Sequence, residues 1–204
     1  MARTRSATYD DQREMILARA AELFSQRGYP ATSMNQLAEA CGLSKPTLYH
    51  YYRDKYALLV QIAEGHVVRL RDLVRAVEAQ GLAPEPRLRE LILRFVEEYA
   101  HAQHAHRVLT EDVRFLEPAD RARVLVIERE VVDGFARTLV EMRPDFEAAH
   151  LATPVSMLLF GMINWMFTWL KPDGRLSHDA MAPVVADLFF GGLPQIRIPP
   201  AASP

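Results

Sequence analysis

The sequence predicts an all-α fold, and three observations predict it. Apolar residues recur at intervals of three and four along nearly the whole chain, the period of helices buried on one side. No segment has strand-like alternation long enough to build a sheet. The breaks between the periodic segments carry helix start and stop residues: Gly28, Ser33, Gly42, Ser44 with Pro46, Asp54, Pro118, Pro144 and Ser177. With 204 residues, 50% hydrophobic and 25% charged, the composition excludes wholesale disorder, a collagen-like repeat and a multi-span membrane protein.

Taken in order, the first helix is expected from about Asp11 to Arg27. Ile16, Ala20, Leu23 and Phe24 lie on one face, acidic residues stand at its start and Gly28 stops it. Ser33 and Gln36 have capping-box spacing and open a second helix, with Met34, Leu37, Ala38 and Cys41 inward and Gly42 at its end. A short third helix begins near Ser44, accommodates Pro46 in its first turn and runs to Tyr52. Asp54 caps a fourth, Lys55 to about Ala79. The run GLAPEP at 81–86 is the one plausible seam. A fifth helix follows, with Leu88, Leu91, Ile92, Phe95 and Tyr99 on its apolar face, and a shorter one spans His106 to Leu116. A long helix then runs from Pro118 to just before Pro144. Last come the uncharged segment Leu151 to Leu170, a KPDG turn at 171–174 and a helix from His178 to about Phe190. The Pro- and Ala-rich tail, 194–204, is expected to be disordered.

The bulk chemistry narrows the function. A single cysteine, Cys41, on the inward stripe of helix two, is expected to be a small buried residue, and the cytoplasm is the expected compartment. Arg3 and Arg5 are not followed by the apolar stretch of a signal peptide and form a candidate basic arm. Leu151 to Leu170 is about long enough to cross a bilayer, but Thr153, Ser156, Asn164 and Thr168 make a buried or interface helix the expectation. His101, His104 and His106 do not complete a metal-ligand pattern, and neither a metal nor another cofactor is expected. No nucleophile elbow, phosphate loop or facing carboxylate pair points to an enzyme.

The most specific signal is TSMNQLAEACGLSKPTLYHYYRDK, residues 32–55: two short amphipathic helices joined by a turn containing Gly42, after one longer helix. That is a helix-turn-helix. Its apolar stripes can close a small core, leaving Lys45, Pro46, Thr47, Tyr49 and His50 on an outer face of the right diameter for the major groove. Hydroxyls at Thr32, Ser33 and Tyr49, with Lys55, are placed for phosphates. The net charge of -2 hides an asymmetry that fits. Residues 1–60 carry eight Lys+Arg against six Asp+Glu, leaving 16 against 20 for the rest, so phosphate binding is expected to be local and salt-sensitive.

The stretch AAELFSQRGYPATSMNQLAEACGLSKPTLYHYYRDKYALL resembles the DNA-binding domain of the TetR family of transcriptional regulators over about a quarter of the chain. The resemblance implies DNA contacts at Thr32, Ser33, Lys45, Pro46, Thr47, Tyr49, His50, Tyr51 and Lys55. Met34 and Asn35 stand where the family commonly has a basic side chain. It also implies an organisation: an N-terminal three-helix domain at 1–54, an effector-binding and dimerisation domain at 55–193 with helix four as connector, and the tail at 194–204. A homodimer through the last two long helices, on a two-fold-symmetric operator, is the implied assembly, with an effector that releases the DNA.

Candidate pocket residues are aromatic and polar side chains on otherwise apolar faces: Phe95, Tyr99, Phe115, Phe135, Asn164, Trp165 and Trp169. GMINWMFTWLKPDGRLS, 161–177, is similar to the last part of TetR-type regulators of fatty-acid and acyl-CoA metabolism, which makes an acyl-CoA thioester the expected effector. A hydrophobic drug-like ligand is the alternative effector, and an effector-independent activator or adaptor the alternative function.

Overall fold

The computed structural model describes residues 2–170 and 174–198, with side chains from Tyr9 onward. The described residues are helical throughout: α1 (Ala2–Arg27), α2 (Met34–Ala40), α3 (Lys45–Tyr51), α4 (Lys55–Glu78), α5 (Pro84–His101), α6 (Gln103–Glu111), a 3-10 turn (Val113–Phe115), α7 (Pro118–Met142), α8 (Asp145–Ala148), α9 (Ala152–Trp169), α10 (His178–Gly192) and a second 3-10 turn (Leu193–Gln195).

The caps read from the sequence hold. Gly28, at the end of α1, takes φ +81° and Gly42, after α2, takes +65°, a conformation open to glycine without cost. Ser33 caps α2 as a reciprocal box with Gln36, Ser44 caps α3, and Ser177 caps α10. Ala57 N–H donates to Asp54 Oδ1 at the start of α4.

Four elements differ from expectation. α1 reaches back to Ala2, because nothing between residues 2 and 10 is a Pro or Gly that would stop it. α5 starts inside the GLAPEP run at Pro84, where a proline sits in a first turn without losing a hydrogen bond. The expected helix over 106–116 begins at Gln103 and breaks at Asp112 into a 3-10 turn. The tail does not begin at 194: Leu193–Gln195 is helical, and Arg143 donates to the carbonyls of Leu193 (2.8 Å) and Ile196 (3.3 Å). Residues 199–204 of that tail, 171–173 of the KPDG turn and the Arg3 and Arg5 side chains lie outside the described residues.

The chain packs as two compact units, Met1–Val68 with Ala102–Leu125 and Arg69–His101 with Val126–Pro204. Chain order alone divides the protein at 54; packing instead groups α6 and the start of α7 with the N-terminal helices. In the first unit α1 packs on α2 and α6, and α2 on α3. Its buried apolar residues include Ile16, Ala20 and Phe24 of α1, Leu37 of α2, Leu48 of α3, Leu58 and Ile62 of α4 and Val108 of α6. Each of these is apolar area removed from water at about 25 cal/mol per Å².

In the second unit α5 packs on α9 and α10. Its centre is aromatic. Phe95 meets Phe135 edge-on at 4.9 Å, and Phe160 lies 4.7 Å from Phe135 and 5.8 Å from Phe95, geometries that aromatic quadrupoles favour. A Cβ at Gly134 of α7 would overlap Val74 Cγ1, so a glycine is what lets this face of α7 approach α4. Arg75–Glu130, Arg87–Glu141 and Arg137–Glu78 pairs fasten the rim. No helix among the described residues is long and apolar enough to cross a membrane.

Candidate functional site

The helix-turn-helix is positioned by polar contacts made from several directions. α2 starts where Gln36 N–H donates to Ser33 Oγ (3.3 Å) and Ser33 N–H to Gln36 Oε1 (2.8 Å). It ends with Leu43 N–H reaching back to Ala38 O at 2.9 Å, the wrap that reverses the chain into α3. Ser44 Oγ accepts from Thr47 N–H (3.2 Å) and lies 2.7 Å from Thr47 Oγ1. Leu48 and Tyr52 are buried, which fixes the rotation of α3 and turns Lys45, Pro46, Thr47, Tyr49 and His50 outward, all exposed. Among the described residues, Lys45 has no ion-pair partner.

The structure divides the nine expected DNA contacts. Those five form one outward surface, with Ser33 exposed at the start of α2. Thr32 is buried, its hydroxyl donating to Gly28 O at 3.0 Å. Lys55 is committed inside the protein: its ammonium donates to the carbonyls of Tyr29 (3.0 Å), Pro30 (3.1 Å) and Thr32 (3.0 Å) and lies over the Tyr29 ring. It therefore closes the α1–α2 turn and is not presented to phosphate. Tyr51 is half-buried and stacked on Tyr9 of α1, centroids 4.9 Å apart, while the Tyr9 ring meets His50 edge-on.

Further residues shape this surface that the sequence did not mark for that role. The α1–α2 turn is held from its other side by Phe115, whose ring lies 5.6 Å from Tyr29, and by the buried carboxyl of Asp112, which accepts from the Tyr29 backbone N–H and is pushed up by burial. Tyr56 of α4 donates to Asp120 and accepts from Glu117 N–H, which pulls the Asp120 carboxyl below its ordinary range. Arg13 lies over the Tyr52 ring and donates to Gln61, which also accepts from the Tyr52 hydroxyl. Only Tyr9 carried a sequence signal, an aromatic among polar neighbours; the other contacts span dozens of residues and leave no local periodicity. Cys41 is half-buried and burial pushes its thiol up.

The three histidines point to different partners. His101 Nδ1 donates to Glu97 O, His104 Nδ1 lies 2.8 Å from Ser25 Oγ, and His106 is buried with Nδ1 3.1 Å from His66 Nε2. No group of three metal-ligating side chains exists among the described residues.

Of the seven expected pocket residues, Phe95, Tyr99 and Phe135 are buried in the aromatic centre of the second unit. Asn164 lies on the α9 stripe that continues from Phe160, and Phe115 is in the first unit against Tyr29. Trp165 and Trp169 face outward, 68% and 51% exposed. Leu158, at helical spacing on the same helix, is exposed too, and Val184 and Leu188 are exposed four residues apart on α10. A surface cleft of about 430 Å³ between α4 and α5 is lined by Leu73, Val77, Gln80, Arg94, Glu97 and His101 and uses none of the seven.

Comparison with known proteins decides the family. Residues 16–62 match the model of bacterial regulatory proteins of the tetR family, and residues 81–193 match the tetracyclin repressor-like C-terminal domain. The chain belongs to the TetR family. A TetR-family regulator from Bordetella parapertussis 12822, 35% identical over 91% of this chain and 97% of that one, superposes with a TM-score of 0.84. The HTH-type transcriptional activator FasR of Mycolicibacterium smegmatis is 27% identical over 93% of this chain and 86% of that protein. AibR in complex with isovaleryl coenzyme A and operator DNA is 25% identical over 87% of this chain and 97% of that one, with a TM-score of 0.75. As a TetR-family transcriptional regulator, this chain has its DNA-binding domain in the helices just described.

Proposed function

We propose that this regulator is a repressor that binds a two-fold-symmetric operator as a homodimer and is released from it by an acyl-CoA thioester, in the cytoplasm. The observation that carries the DNA side is the outward surface of α3, held by buried Leu48 and Tyr52 and by the Ser44 cap. Lys45 and His50 supply donors for guanine, and Pro46 and the Thr47 methyl an apolar contact for thymine. Two copies of α3 must meet successive major grooves, roughly 34 Å apart. The exposed apolar surface of Leu158, Trp165, Trp169, Val184 and Leu188 supports dimerisation through α9 and α10, since side chains of that size on two adjacent helices are costly to leave in water.

The effector reading is supported by the resemblance of residues 161–177 and by AibR, whose solved complex holds isovaleryl coenzyme A. Release requires only that the ligand bind one conformation of the dimer more tightly than the other. A second reading, activation, is favoured by the similarity to FasR, named as an activator.

A gel shift on the DNA upstream of the chain's own gene, with isovaleryl-, octanoyl- and palmitoyl-CoA added in turn, tests the proposal. A shift at moderate salt that one of the thioesters reverses is the expected result. A folded dimer that gives no shift overturns the DNA side, and a shift that no thioester reverses overturns the effector.

A further inference from the structure

Two polar atoms in the second unit are buried without a hydrogen-bond partner: Asn164 Oδ1 on α9 and His178 Nε2 at the start of α10. Native proteins rarely leave such atoms empty, because desolvation is then uncompensated. Phe167 links the two residues. Phe167 follows Asn164 by three residues on α9, and the His178 ring lies flat on Phe167, centroids 4.4 Å apart at 15°. Phe160, Asn164 and Phe167, spaced four and three apart, form one stripe of α9. Its two ends meet α5, Phe160 against Phe95 (5.8 Å) and Phe167 against Tyr99 (5.7 Å). Asn164 is therefore flanked along α9 by two aromatic residues, and His178 stacks on one of them.

We propose that Asn164 and His178 are the polar end of a ligand site, which seats an uncharged amide attached to an alkyl chain, the chain lying on the aromatic stripe of Phe95, Phe160 and Phe167. The inference rests on the reading of this protein as effector-responsive and names the group the effector must carry. An amide oxygen only accepts, so Asn164 Oδ1 needs an N–H or O–H from the ligand. A neutral imidazole Nε2 either donates or accepts, so it can take the other half of the amide. Burial lowers the pKa of His178, which favours the neutral ring. A carboxylate fails here because it has no donor for Asn164. Burial pushes the Tyr99 phenol up, and the charge of Glu128 on α7, itself raised by burial, pushes it further. An acyl-CoA meets the requirement through the secondary amides of its pantetheine arm, whereas a free fatty acid does not.

Both tryptophans of the chain, Trp165 and Trp169, are on α9 beside Asn164, so intrinsic fluorescence reports binding. The probes are N-octylacetamide, octanoate and octanoyl-CoA, titrated into the full-length protein and into Asn164→Leu and His178→Phe, which preserve volume and the ring stack. The amide is expected to bind the wild type, octanoate at least about tenfold more weakly, and each variant is expected to lose about tenfold or more for the amide. The ligand-free melting temperature of both variants is expected to stay level or rise, because an empty polar atom has been removed. Variants that bind N-octylacetamide within twofold of wild type, octanoate binding as tightly as the amide, or a ligand-free melting temperature several degrees lower would overturn the site. Octanoyl-CoA releasing DNA equally from wild type and variants sinks the site and keeps the effector reading. Amide binding that depends on Asn164 and His178, with no release by octanoyl-CoA, does the reverse.

Discussion

The two units of this protein use many of their polar groups differently. In the first, side chains hold the backbone: one ammonium, Lys55, takes three carbonyls, Ser33 and Ser44 close helix starts, and Tyr56 bridges Asp120 and Glu117 N–H. In the second, Asn164 Oδ1 and His178 Nε2 are buried and empty, Glu128 is half-buried without an ion pair among the described residues, and Leu158, Trp165 and Leu188 face outward. The difference teaches a division of labour. A surface that must match DNA is built complete, with its geometry fixed before DNA arrives. The second unit keeps unsatisfied atoms and uncovered apolar area, which the proposed dimer and effector would complete.

The contrast can be broken at its strongest point first. Lys55→Met strands three carbonyls of the α1–α2 turn and should cost about 3 kcal/mol of stability, read as a lower denaturation midpoint together with loss of DNA binding. If Lys55 acts on phosphate instead, the midpoint will hold and only the salt dependence of DNA binding will become shallower. Next in size, Trp165→Glu places a charge on the exposed surface of α9 and should weaken dimerisation roughly 100-fold; sedimentation equilibrium at micromolar concentration should then show monomer. A variant that remains dimeric would move the interface off α9.

Gly134→Ala comes third. Its methyl would overlap the buried Val74, and the strain should destabilise the second unit by about 1–3 kcal/mol, with α3 and its surface untouched. The smallest effect is the one with two signs. Asp120, lowered by Tyr56 and then by Arg123, contributes stability that is present above the ordinary aspartate value and lost as pH falls through its depressed value. Glu128, raised by burial, has the opposite sense: stability is lost as pH rises from its ordinary value of 4.5 through the raised one. Melting temperature measured against pH should therefore lose part of its acid-side slope in Asp120→Asn, whereas Glu128→Gln should be the more stable protein at neutral pH. Equal slopes in both variants would remove the contrast.

Much of the first unit was legible in the sequence because its helices begin and end on short-range chemistry. The Ser33–Gln36 box, Gly42, Ser44 with Pro46, and Asp54 each act within four residues, and all of them hold. What could not be read was long-range. The grouping of 102–125 with the N-terminal helices depends on contacts such as Tyr29 with Phe115 and Tyr56 with Asp120, 86 and 64 residues apart. The same gap hid the three carbonyls that Lys55 holds. Trp165 and Trp169 illustrate a different limit. An uncharged helix reveals that it is covered, and not whether its own chain or another does the covering. Asn164 was singled out for a sound reason, a polar group on an apolar face, but its neighbour His178 lies across a turn that periodicity does not span.

The most direct test of the central claim is a fluorescence-anisotropy titration of the upstream DNA with wild type and with Lys45→Ala/His50→Ala, whose two side chains are exposed, His50 making only edge contacts with the Tyr9 and Tyr51 rings. Saturable, salt-sensitive binding by the wild type, and loss of discrimination against random DNA by the variant at an unchanged melting temperature, is the predicted result. Equal discrimination by both proteins would contradict the assignment of the outward face of α3 as the surface that reads DNA.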